Sequence, residues 1–242
     1  MFRILRTTLA LYALTAFCAS LNAAPIKQAE PNVSIQFTTL SWDASMIKDL
    51  KFESEGEVDS VSIYQRGFSI PQTYVGPRTM RFFREVTDPA TGEPLRNIVA
   101  QVNIPENVRE LLLIFKQNDQ GSKEHYQIFP INRNRDDFPR GSYQIFNLSD
   151  YPISGKIDEQ LFQINTQRSQ VIKLPLQETA TIEVKFARNE NDSWSLAYSS
   201  LWAHKANNRV NIFIFNTGDK IDPVEIRMYK EFLPAPPVAQ QN

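Results

Sequence analysis

The sequence predicts an all-β protein: two tandem Ig-like antiparallel β-sandwich domains behind a cleaved signal peptide. Three observations predict this. Short runs rich in Val, Ile, Phe, Tyr and Thr recur along nearly the whole chain. Clusters of turn-forming residues separate them. Two runs are apolar at every position, one in each half of the chain, as strands covered on both faces are.

The strand-like runs begin with Ser34–Leu40, Val58–Gln65, Thr79–Val86, Asn97–Ile104, Glu110–Gln117, His125–Ile131 and Ser142–Leu148. Leu161–Asn165, Gln170–Leu174, Thr179–Ala187, Ser193–Trp202, Arg209–Asn216 and Val224–Phe232 follow. Turn chemistry stands at Asp88–Gly92, Asn118–Gly121, Pro139–Gly141, Asn189–Asp192 and Thr217–Asp219. This even spacing argues for sandwiches rather than βαβ units. The one segment that reads as a helical turn is Trp42–Leu50, too short to shape the fold. The all-apolar runs are Leu111–Phe115 and Ile212–Phe215. Between them lies the polar, charged segment Asn132–Asp137, read as a solvated domain boundary. The expected domains are residues 32–135 and 136–232, followed by a disordered Pro-rich tail at 233–242. No residue-level repeat relates the halves.

The first 23 residues have the layout of an export leader. Arg3 and Arg6 precede the apolar run Thr8–Ala19, and small residues lead to Ala23-Ala24-Pro25. The run is far short of the ~20 residues that cross a bilayer, so no transmembrane anchor is expected after cleavage. Cys18 could be the lipidated residue of a lipoprotein, but the bulky Phe17 before it argues for an ordinary place in the leader. The mature chain then holds no cysteine. It must be stabilised by its core, which excludes disulfide-stapled scaffolds, thiol catalysis and cysteine-ligated metals. The expected location is periplasmic or secreted.

The whole chain carries 26 Lys and Arg against 27 Asp and Glu. This balance gives no field to steer nucleic acid. No cofactor, metal or catalytic motif is present in the pattern of the sequence. The two histidines, His125 and His204, read as surface or strand-end residues. Asp136-Asp137 is a conspicuous carboxylate pair, but Arg133, Arg135 and Arg140 around it would repel a cation. Arg78, Arg81 and Arg84 could form a basic patch for an anionic glycan or lipid head group, although alternation separates Arg81 from Arg84. Trp194, Tyr198 and Trp202 fall on one face by the same alternation. Exposed, their rings would stack on sugars; buried, they would be core aromatics.

The expected function is a non-enzymatic binding or scaffold module of the bacterial cell envelope, with a protein or glycan partner held at a sheet edge or loop surface. A carbohydrate-binding module and a hydrolase of envelope polymers are the alternatives.

Overall fold

A computed structural model describes residues 32–43, 45–118, 125–175 and 179–234. The expected leader with Cys18, the lead-in to residue 31 and residues 235–242 of the expected tail lie outside the described residues. The described chain is all β, with sixteen strands arranged in four four-stranded sheets.

The first half holds two sheets. One contains β1 (Val33–Ser41), β4 (Gln72–Gly76), β7 (Glu110–Gln117) and β8 (Tyr126–Asn132) in the order β4-β1-β7-β8. The other contains β2 (Ile47–Ser54), β3 (Glu57–Ile63), β5 (Thr79–Thr87) and β6 (Pro94–Asn103) in the order β3-β2-β5-β6. The second half repeats this plan. β9 (Ser142–Asn147), β12 (Arg168–Lys173), β15 (Asn208–Asn216) and β16 (Val224–Phe232) form β12-β9-β15-β16. β10 (Ile153–Ile157), β11 (Gln160–Ile164), β13 (Thr179–Glu190) and β14 (Ser193–Lys205) form β11-β10-β13-β14. Adding eight to each strand number of the first half generates the second. The chain is thus a repeat of topology without a repeat of sequence.

Each half has its own core. In the first, Phe37, Phe52, Phe82 and Phe115 meet edge to face, with centroids 5.2 Å apart for Phe37–Phe52 and 5.1 Å for Phe82–Phe115. In the second, Phe186 and Trp202 pack with Tyr143, Phe162 and Ile212. Each such buried apolar side chain contributes about 1.5–3 kcal/mol of transfer free energy.

The sheets containing β7 and β15 also bury their far faces, against each other. Leu40, Leu112 and Ile114 from the first half meet Phe146 and Phe213 from the second, flanked by Trp42, Phe68, Ile131, Phe215 and Tyr229. This is why Leu111–Phe115 and Ile212–Phe215 are apolar throughout. Alternate residues face the core of their own half and the seam between halves. The result is four stacked layers with three apolar seams.

Two sequence expectations need correction. Two of the four sheets are mixed rather than purely antiparallel: β1 pairs with β7, and β9 with β15, in parallel. The intervening strands supply the long crossover that a parallel pair requires. The helical reading of Trp42–Leu50 also fails, because β2 begins at Ile47. A bulge between Ile47 and Leu50, with Asp49 at φ 54°, turns both Ile47 and Leu50 inward. A spacing of three between buried residues imitates helical periodicity, although it arises here from an extra strand residue.

Candidate functional site

β13 and β14 form a long hairpin closed by Asn191 and Asp192, both at positive φ (52° and 63°). That geometry suits a two-residue turn whose twist matches the strands. Along the hairpin Phe186 pairs with Tyr198, and Ala187 with Leu196, so Ala197 is an extra residue on β14. This bulge reverses the alternation. Tyr198 and Trp202 lie on the core side, where Trp202 is 6% exposed and its indole N–H donates to the Tyr198 hydroxyl at 2.9 Å. Trp194, before the bulge, is 45% exposed. The structure therefore does not assemble Trp194, Tyr198 and Trp202 into one exposed row.

What the bulge does assemble is an apolar outer strip. Leu196 is 63% and Leu201 70% exposed, on the strand that carries Trp194. β14 is also the edge of its sheet and pairs only with β13. Edge strands are commonly guarded by Lys, Pro, inward charges or a covering loop. β14 has no charged side chain from Ser193 to Ala203. Comparison of the halves shows a second difference. In the first half β6 and β8, the matching edges of the two sheets, pack on each other, whereas β14 and β16 have no comparable contact. Val224, Ile226, Met228 and Tyr198 are correspondingly only partly buried at that rim.

The remaining sequence candidates disperse. Arg78 donates through Nη1 to the Ile104 carbonyl at 2.9 Å, and Arg81 and Arg84 leave opposite faces of β5. The outer face near them is of mixed charge, with Lys51 paired to Glu85 at 2.5 Å and Arg96 paired to Glu53 over the Phe83 ring. These three arginines do not share a patch. Asp136 pairs with Arg109 at 2.9 Å, while Asp137 accepts from Asn132 Nδ2 at 2.9 Å. The two carboxylates thus serve separate partners. His125 is exposed beside Tyr126. His204, expected at the surface, is instead buried, with Nδ1 2.9 Å from the Tyr143 hydroxyl. Burial pushes its pKa below the usual histidine value, although nearby Asp158 opposes this.

Sequence reasoning missed a buried ionic cluster at one end of the seam between halves. Arg133 and Arg209 are almost fully buried. Both contact the Glu231 carboxylate, and Arg209 Nη2 also reaches Glu110 at 3.2 Å. Arg133 donates to Thr38 Oγ1 at 2.6 Å and stacks on Phe68; Arg209 donates to the carbonyls of Arg133 and Phe138 at 2.7 and 3.1 Å. Desolvation, reinforced by the like charge of Arg209, pushes the Arg133 pKa down to about 9. The segment read as a solvated boundary is therefore partly interior. Only the density of Arg, Asn and Asp at residues 132–137 hinted at a polar network there.

At the opposite end of the seam the two sheets leave a cavity of about 370 Å³, walled by Trp42, Ile114, Phe129, Phe146, Leu148 and Phe215 with Lys116 at its rim. No protein-family model matches the chain, and no curated protein matches its sequence.

Proposed function

We propose that this chain is an exported, Ig-like sandwich protein of the bacterial cell envelope. It acts without catalysis as a binding module, and its working surface is the β14 edge. The observation that carries the reading is that edge: long, uncharged to Ala203, bulged and apolar on its outer face. An extended segment of a partner protein would add beside β14, its backbone satisfying the free N–H and C=O groups, while Trp194, Leu196 and Leu201 contact alternate side chains. A glycan partner is supported less, because Trp194 is the one ring of the expected trio that is strongly exposed.

The test places a photocrosslinking residue at Ser199 in the protein expressed with its own leader in a bacterial host. A discrete envelope-protein adduct is expected at Ser199, is absent with the same residue at Ser169 on β12, and is lost on Leu201→Lys. Adducts of equal yield at both positions, or unaffected by Leu201→Lys, would remove the edge from consideration. Intact mass of the exported protein checks the leader separately, with cleavage after Ala23 as the expected result.

A further inference from the structure

The cavity at the open end of the seam lies outside everything the β14 edge would use. Its floor is made by Ile114, Phe146 and Phe213, the last two rings stacked at 4.9 Å. Phe129 and Leu148, one from each half, stand exposed at its mouth. Trp42 closes a third side, edge-on to Phe213 and Phe215 at 5.6 and 4.9 Å. Behind these rings Arg227 stacks on both Trp42 and Phe215 and donates to the Trp42 carbonyl at 3.2 Å, so this wall is fixed in place.

Among the described residues the lining holds a single ionisable group, Lys116. It has no ion pair among the described residues. Two carboxylates at this end of the seam accept hydrogen bonds from neutral donors: Asp43 from the Gln117 N–H at 2.5 Å, and Asp150 from Asn216 Nδ2 at 2.6 Å. An aromatic-walled chamber with the Lys116 ammonium at its rim, unpaired among the described residues, is complementary to a molecule with an apolar body and one negative head. The volume lies within the ~300–1,000 Å³ of small-molecule sites, which are concentrated where two structural units meet.

We infer that this cavity binds a small amphipathic carboxylate, its aliphatic or aryl body between the two sheets and its acid group on Lys116. Uptake requires no covalent step. The ammonium would donate a charge-assisted hydrogen bond to the carboxylate. The aromatic walls would take the apolar body out of water.

Calorimetric titration with decanoate, decanol and decyltrimethylammonium tests this, with light scattering in parallel. Decanoate is expected to saturate at one per chain, to bind more tightly than decanol, and to weaken roughly tenfold or more in Lys116→Gln, since a charge-assisted bond is lost. Decanol binding is expected to be unchanged in that variant. Lys116 is exposed, so the variant keeps its fold. A second variant, Leu148→Glu, sets a carboxylate at the mouth and is expected to reject decanoate while leaving the thermal midpoint in place. Failure of decanoate to saturate, equal affinity in Lys116→Gln, equal affinity for the cationic detergent, or a doubling of particle mass in step with uptake would each overturn the assignment.

Discussion

His204 and Tyr143 share one buried hydrogen bond, and His204 Nε2 has no hydrogen-bond partner among the described residues. Burial disfavours the charged form of the folded histidine and lowers its pKa below the ordinary histidine value, with nearby Asp158 opposing. The unfolded chain therefore binds more protons as pH falls through about 6.5, and stability must decline there. Above that region the effect vanishes, because neither state is protonated. Denaturant melts at pH 7.5 and 5.5 should show lower stability at the acidic value, with a smaller difference in His204→Phe; identical slopes in the two proteins would exclude His204 as the cause. None of this was legible in the sequence. A histidine after Trp202-Ala203 and before Lys205 carries no local sign of depth, which comes from β9 crossing beneath β14. The two arginines were hidden for the same reason: a charged side chain in a polar run reads as solvated until a distant carboxylate meets it.

Individual strands were more legible than their faces. Alternating runs marked most of the sixteen strands, but β2, β4 and β10 lacked the signal. β10 is short and contains Gly155, whose role is steric. A Cβ there would stand 2.4 Å from Phe162 Cζ and 2.7 Å from the Lys185 carbonyl. Gly155→Ala must push the Phe162 ring out of its core position and strain the β10–β13 pairing. A loss of about 1–3 kcal/mol is expected in urea melts, as for other overpacked sites; a change below 0.5 kcal/mol would mean that the ring moves freely. Bulges account for the errors of facing. One extra residue at Ala197 sent Trp194 to the opposite side from Trp202, and one in β2 produced an apparent helix. Periodicity assigns faces only while the count of residues per rung stays constant.

The stacking of the halves could be inferred only in part. Two runs apolar on both faces required cover on both sides, but nothing in them said that each would cover the other. The seam is closed at one end by Arg133, Arg209, Glu110 and Glu231. Removing one charge from such a cluster leaves the others buried without compensation. Glu231→Gln is expected to cost about 3–5 kcal/mol, measured by chemical denaturation. Replacing Arg133, Arg209 and Glu231 together by apolar residues of similar volume should recover most of that loss. A single variant as stable as the parent would show that the cluster does not hold the seam.

The eightfold strand correspondence gives the seam a further meaning. Matching strands contribute matching residues from either side: Leu40 on β1 and Phe146 on β9, Ile114 on β7 and Phe213 on β15, Ile131 on β8 and Tyr229 on β16. Such an arrangement is what a two-fold dimer becomes once its chains are joined end to end. The join, from Arg133 to Gly141, is short, so each half meets the other at the high effective concentration of a tethered pair. A protease cut within it would convert folding of the seam from a property of one molecule into a bimolecular equilibrium, sensitive to dilution.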